Sequence, residues 1–339
     1  MDSHASTLFK QSSTFLFGLS SACLRQVDDK ALPFLFTGVS MRTQKRFTPN
    51  LLDRYTSVGR GHGVYETYIP WHRVGRSDPA SEGRSHLQLW EGRQRELLSD
   101  KEWVGLLFST MLPSVVDIRE QIPLSHGNST SELFAYLFNP LASESPGTLQ
   151  LAKQLGIKHP KVHGNGRSAD WVMTTDLLLT LKLVTGEIEL LAVAIKINKE
   201  IDNNRTRELL AIERQYWLER GIPWLLITPS MYDELVADTL RRCMPWVLGI
   251  PADPVVIDFV IANQKEWSGR SLTYVLERLS NVFNDIDLAQ RAFWQAVCSG
   301  RLPVDLRRGW RPHEPITLLS DTAFWNLNPI ASRRSAWVF

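Results

Sequence analysis

Two apolar runs joined by a two-residue turn constrain this chain more than any other feature. Residues 171–184 read WVMTTDLLLTLKLV and residues 187–197 read EIELLAVAIKI, with only Thr185-Gly186 between them. Short runs rich in Val, Ile, Leu and Thr suit strands, and a two-residue linker ending in Gly suits a tight hairpin turn. The second run reads as the middle of a buried strand, yet Lys196 interrupts it. A lysine inside an apolar strand is costly unless it is paired or sits near the edge.

The hairpin supplies a partner. Closing it at Thr185-Gly186 sets Asp176 opposite Ala194–Lys196 on a strand about 4.8 Å away. Ala194 and Lys196 share one face, because strand side chains alternate. A second carboxylate is expected from a helix packed on this sheet. In LLSDKEWVGLLFSTML, Ser99 and Glu102 fit the S-x-x-E capping box, and Trp103, Leu106, Leu107 and Met111 fall at helical spacing. Two carboxylates and a lysine suit metal-assisted phosphodiester hydrolysis. Glu102 and Asp176 would hold Mg²⁺, a hard cation that prefers oxygen. Lys196 would stabilise charge on the phosphate or orient the water. Plainer readings of the same residues stay open. Glu102 can be only the N3 residue of its cap, Asp176 can bond Thr174 or Thr175, and Lys196 can reach out to solvent at the strand end.

The rest of the chain extends this core. SVVDIREQIPL (114–124) alternates as a strand. NNRTRELLAIERQYWLERG (203–221) reads as an amphipathic helix with Leu209, Leu210, Ile212, Tyr216 and Trp217 on its apolar face and Gly221 as its stop. IPWLLIT (222–228) is a short buried strand, and residues 125–170 are loop-rich. Beyond about 230, segments 231–243, 271–283 and 285–298 read as helices, and 301–319 reads as a β-wing. The order predicts an α/β fold: a mixed sheet flanked by helices, then a mostly helical region, with a winged helix as one form of it. Three divisions are expected: an N-terminal extension (1–50), a catalytic domain (51–230) and a C-terminal helical domain (231–339) for partner or DNA binding.

Composition narrows the setting. The chain has 339 residues and a formal net charge of only +2, so any nucleic-acid contact must come from local patches. Candidate DNA contacts are Arg60, His62, Arg84 and His86, in glycine-containing segments that let the backbone approach a phosphate. The competing reading is a solvated loop with ordinary surface charge. The stretch KHPKVH, with His159 and His163 between Lys158 and Lys161, lacks an acid to complete a metal site and reads as a basic surface loop. Arg205, Arg207, Arg214 and Arg220, balanced by glutamates, read as a solvated helix face, with Glu213 either on that face or near the site. Three cysteines far apart suit a reducing, cytoplasmic setting, and no run is long and apolar enough to predict a membrane span.

Short segments in sequence carry a resemblance. GRGHG (59–63), YIPW (68–71), GRSH (83–86), LLSDKE (97–102), VVDIREQIPL (115–124), GIKHP (156–160), VMTTD (172–176), RTRELLAIERQYW (205–217) and GIPW (221–224) resemble the TnsA family, the endonuclease subunits of heteromeric cut-and-paste transposons. The resemblance covers roughly 59–228. It implies a restriction-endonuclease-like fold, with Glu102 as the helix glutamate, Asp176 as the metal-binding aspartate and Lys196 as the strand lysine. It implies Mg²⁺ as cofactor, with Mn²⁺ able to substitute, and cleavage of the non-transferred strand at the 5′ ends of the transposon. It implies double-stranded transposon-end DNA, a DDE-type transposase and an AAA+ ATPase regulator as partners in a bacterial cytoplasm. The family carries a polar residue, usually glutamine, two before the strand lysine. Here that residue is Ala194. Three accounts are open: the Ile195 carbonyl completes the metal's ligands, the chain is an impaired architectural subunit, or the alanine is engineered.

Overall fold

The computed structural model describes residues 46–75, 78–80, 84–137 and 143–337. Most of the expected extension, 1–45, lies outside the described residues. Helix α1 (Pro49–Ser57) starts where Thr48 caps it, its hydroxyl accepting from the Leu51 amide with proline at the first turn. A hairpin of β1 (His86–Trp90) and β2 (Arg93–Leu97) precedes α2 (Asp100–Thr110), the expected capped helix. Then follow β3 (Val115–Pro123), the two-residue strands β4 (Ser129–Thr130) and β5 (Glu144–Ser145), helix α3 (Thr148–Gln154) and the hairpin of β6 (Lys161–Gly164) and β7 (Arg167–Asp170). The loop-rich stretch thus holds a helix and a hairpin. Neither showed in the sequence, because these elements are too short to set up a hydrophobic period.

The two opening runs form β8 (Thr174–Lys182) and β9 (Ile188–Ile195), an antiparallel pair as expected. The turn is one residue longer than the expected Thr185-Gly186: the Leu183 amide donates to the Glu187 carbonyl (2.8 Å) and the Gly186 amide to the Leu183 carbonyl (2.9 Å), with Gly186 at φ +88°. Helices α4 (Asn198–Ile201) and α5 (Asn204–Glu219) lead to β10 (Trp224–Ile227), which pairs in parallel with β9. The central sheet runs β10-β9-β8-β3 and is mixed, as expected. Its apolar residues divide between two cores. One gathers Leu177, Leu191, Val193 and Ile195 with α2. The other gathers Leu178, Ala192 and Ala194 with Ile212, Tyr216 and Trp217 of α5. Covering both faces is what made these strands read as nearly continuous apolar runs.

Beyond β10 come α6 (Glu234–Val247), α7 (Pro254–Ala262), α8 (Gln264–Trp267), α9 (Leu272–Phe283), α10 (Ile286–Cys298) and α11 (Asp321–Trp325). The region is mostly helical, as expected. The segment read as a β-wing holds a 3-10 turn, Leu306–Arg308, and two isolated antiparallel bridges, Val304 to Leu318 within it and Pro315 to Ser271 outside it. Lys45–Phe339 form one compact unit, and the boundary expected near 230 falls inside it. The larger core runs without a break from Leu97 through the sheet to Phe324 and Ile330. The last residues return to the sheet. The Leu226 amide donates to Ser335 Oγ (3.0 Å), the Ala336 amide donates to the Leu226 carbonyl (2.8 Å), and Trp337 meets Trp224 edge-on. This cover occupies the edge of β10, which would otherwise present unpaired backbone groups.

Candidate active site

The site opens where two strands part. The β8–β9 ladder ends at the pair Leu177–Val193, whereas β9 stays paired with β10 as far as Ile195–Ile227. Past Leu177 the Asp176 carboxylate takes over from the ladder. Its Oδ2 accepts from the Ile195 amide (2.6 Å) and from Lys196 Nζ (2.8 Å). Lys196 Nζ also donates to the Ile195 carbonyl (3.0 Å). The charge in the apolar strand therefore has its partner on the neighbouring strand. Burial alone would lower the lysine's pKa, but Asp176, Glu213 and Glu102 outweigh it and hold the ammonium above its usual range.

Glu102 caps its helix as expected and also lies beside Asp176. At N3 of α2 its amide donates to Ser99 Oγ (3.2 Å), while its carboxylate accepts from Ser99 Oγ (3.2 Å) and the Leu98 amide (2.9 Å). The same carboxylate is buried beside Asp176. Burial first and the charge of Asp176 second push its pKa up to about 7. Glu213 of α5 joins the group rather than facing solvent. It accepts from Thr175 Oγ1 (2.8 Å) and Trp224 Nε1 (3.2 Å), and burial, then Asp176, raise it to about 7 against the pull of Lys196. Three carboxylates thus surround one ammonium. A cavity of about 270 Å³ opens on Lys196 and Glu213, lined also by Trp171, Thr174, Glu200 and Leu209.

The donors suit a hard cation. The described residues hold no trio of His, Cys, Asp or Glu at ligating distance. The site instead offers oxygen from Asp176, Glu102 and the Ile195 carbonyl, with surplus negative charge. That suits Mg²⁺, which commonly takes one or two carboxylates and keeps several waters. Ala194 adds no oxygen; it is fully buried in the core on the α5 side.

Gln121 has no counterpart in the expectations from sequence. It lies on β3 between the paired residues Glu120–Leu177 and Ile122–Thr175, level with Asp176, at φ +50°. Its Nε2 donates to Glu102 Oε2 (3.0 Å) and its Oε1 accepts from Thr174 Oγ1 (3.3 Å). A glutamine in a strand pattern carries no chemical signal, and its left-handed backbone is visible only in three dimensions. His72 was also missed. It is buried, stacks on Trp171, and burial lowers its pKa to about 4 against the pull of Asp78 and Asp176.

The four candidate DNA contacts fall in two places. Arg60 turns inward: it pairs with Asp78 (2.6 Å), donates to the Trp71 carbonyl (2.8 Å) and covers the Tyr55 ring. His62 is exposed on the glycine turn. That turn leans on the end of β3, where a Cβ on Gly61 would stand 2.2 Å from Pro123 Cγ, and Gly61 has φ +81°. Arg84 and His86 converge on Asp100 at the head of α2 (3.2 and 2.7 Å), and His86 stacks on Trp103. The α5 arginines are not a uniform solvated face. Arg220 is buried at the helix end, pairs with Glu132 (3.3 Å) and donates to Ser129 Oγ (2.8 Å). His159 is likewise buried, bonded to Thr148 Oγ1 (3.2 Å), while Lys158, Lys161 and His163 are exposed.

A family model described as TnsA-like endonuclease N terminal matches residues 112–229, which include Gln121, Asp176, Lys196 and Glu213. The chain is 30% identical over 256 residues to the Transposon Tn7 transposition protein TnsA of Escherichia coli, across 73% of this chain and 80% of that protein.

Proposed function

The chain belongs to the TnsA family, and from that premise we propose that it is a transposition endonuclease subunit. It hydrolyses a phosphodiester of double-stranded transposon-end DNA, cutting the non-transferred strand at the 5′ ends beside a DDE-type transposase and an AAA+ ATPase regulator. The observation that carries this reading is the Asp176–Lys196 pair at the parting of β8 and β9, with Glu102 and Glu213 beside it.

Each side chain has a part in the reaction. Water adds to phosphorus as the bond to the leaving oxygen breaks, and charge builds on the non-bridging oxygens. Lys196, held charged, meets that charge. Glu213, with a pKa near 7, takes the proton of the attacking water. Glu102, Asp176 and the Ile195 carbonyl hold Mg²⁺, for which Mn²⁺ can substitute. When bound, the ion supplies Lewis-acid polarisation of the phosphate. Arg84 and His86 at the head of α2, with His62 on the glycine turn, face the DNA, and Arg60 braces that turn from inside. The helical region after 230 docks the partner proteins.

Ala194 favours one other reading, an architectural subunit with impaired catalysis. The test is nicking of transposon-end DNA with Mg²⁺ or Mn²⁺ and the partner transposase, comparing the natural chain with D176A and A194Q. The nuclease reading expects cutting by the natural chain and at least a hundredfold loss in D176A. Cutting only by A194Q identifies the alanine as disabling. Normal assembly with no cutting by either chain supports the architectural reading.

A further inference from the structure

We propose that the groove between the β6–β7 hairpin and the first turn of α5 binds the phosphodiester backbone of the DNA a few nucleotides from the bond that is cut. This rests on the nuclease reading for its ligand and adds a contact surface remote from the chemistry. The groove has a volume of about 540 Å³ and is lined by Lys158, His159, Lys161, His163, Arg205 and Glu208, with Pro160. Among the described residues, the Lys158 ammonium and the exposed His163 ring have no ion-pair or hydrogen-bond partner. The other two cations are paired, Lys161 loosely and Arg205 firmly. Lys161 pairs with Asp170 at 3.6 Å and Arg205 with Glu208 at 2.6 Å, all four side chains being about a third to a half exposed. An exposed, long pair such as Lys161–Asp170 contributes little and gives way readily to a phosphate.

The walls are better fixed than the charges. The guanidinium of Arg205 donates to the Lys158 carbonyl (2.6 Å), which ties the head of α5 to the hairpin's approach. His159 forms the floor, its ring bonded to Thr148 Oγ1 and its pKa lowered by burial, so it adds shape rather than charge. α5 is a 16-residue helix, and the positive end of its dipole faces the same place.

Position links the groove to the site. The next face of α5 carries Thr206, Leu209 and Glu213, which line the cavity containing Lys196. Eight residues separate Arg205 from Glu213, about 12 Å along a helix axis. A DNA strand advances about 3.4 Å per nucleotide along the duplex, so the groove lies about three or four nucleotides from the scissile phosphate.

The test measures binding of a transposon-end duplex to the full chain without metal, across a salt series. K158E/K161E is compared with K265E, an exposed lysine outside the groove. We expect the double variant to bind at least tenfold more weakly at low salt, its salt slope reduced by about two, with unchanged melting temperature. K265E should bind like the natural chain. Unchanged affinity and slope in the double variant would overturn the proposal, as would equal losses in K265E or no salt-dependent binding by the natural chain. Normal DNA binding with lost transposase association would make the groove a protein contact and overturn it too. If the natural chain never cuts while the double variant loses binding, the nuclease reading fails and the groove stands.

Discussion

Gln121 has a left-handed backbone, φ +50°, inside a strand of the central sheet. A non-glycine residue in the left-handed region costs about 1–2 kcal/mol, and such strain persists where the surroundings hold it. Here it brings an amide against Glu102. Q121G should relieve the strain and lose some packing, for a net stability change within about 1 kcal/mol, against the 2 or more expected for truncating an ordinary buried side chain. Cleavage should nevertheless fall about tenfold, near the worth of one hydrogen bond to a charged group. Denaturant melts and initial rates check both, and a large stability loss with unchanged cleavage would refute the idea. Glu213 gives a pH signature. An unfolded glutamate ionises at its ordinary value, whereas the folded one does so near 7. Its stabilising contribution is complete below the unfolded value and is lost as pH rises through 7. Without metal, the natural chain should lose on the order of 3 kcal/mol relative to E213Q between pH 4.5 and 8. Parallel stability–pH curves for the two proteins would contradict this.

At the scale of the element, the head of α2 joins stability to chemistry. Ser99 caps the helix and also bonds the Glu102 carboxylate. S99A should therefore cost about 1 kcal/mol for the lost cap and lower cleavage as well, while S99D should preserve the cap and repel Glu102. Thermal melts and cleavage assays of the pair separate the two effects. The glycine turn depends on a close approach. In G61A the new methyl meets the ring of Pro123 at a backbone angle that disfavours alanine, so destabilisation of about 2 kcal/mol or more is expected. A mild effect would mean the turn can move off β3.

At the scale of the molecule, the C-terminal third is bound to the central sheet and α2. Asn328 is fully buried; its Nδ2 donates to the Phe108 carbonyl at the end of α2 (2.8 Å), and its Oδ1 accepts from the Ile330 and Ala331 amides (3.0 and 3.1 Å). N328A strands these groups and should cost about 2–4 kcal/mol. Because one core spans both regions, unfolding should stay a single transition in calorimetry rather than separating at residue 230. Two resolved transitions would show that the regions melt independently.

Much of this was legible in the sequence, and the rest had a physical reason to stay hidden. The opening hairpin, α2 with its cap, β3, α5 and β10 follow from periodicity and turn chemistry, which act between residues close in the chain. The nearness of Asp176 to Lys196 follows too, because a short loop forces the two runs to pair, although the loop is one residue longer than Thr185-Gly186 and shifts the register by one. Glu213 stayed ambiguous because a polar residue next to an apolar helical face reads as solvent-facing until its neighbours are known. The left-handed turn at Gln121, the inward Arg60 and the tail along β10 depend on contacts between residues far apart in sequence. The local chain thus determined the main elements and brought Asp176 close to Lys196. Only tertiary packing decided which carboxylates share one buried space and so hold their protons near pH 7, because burial and charge repulsion are properties of the assembled fold.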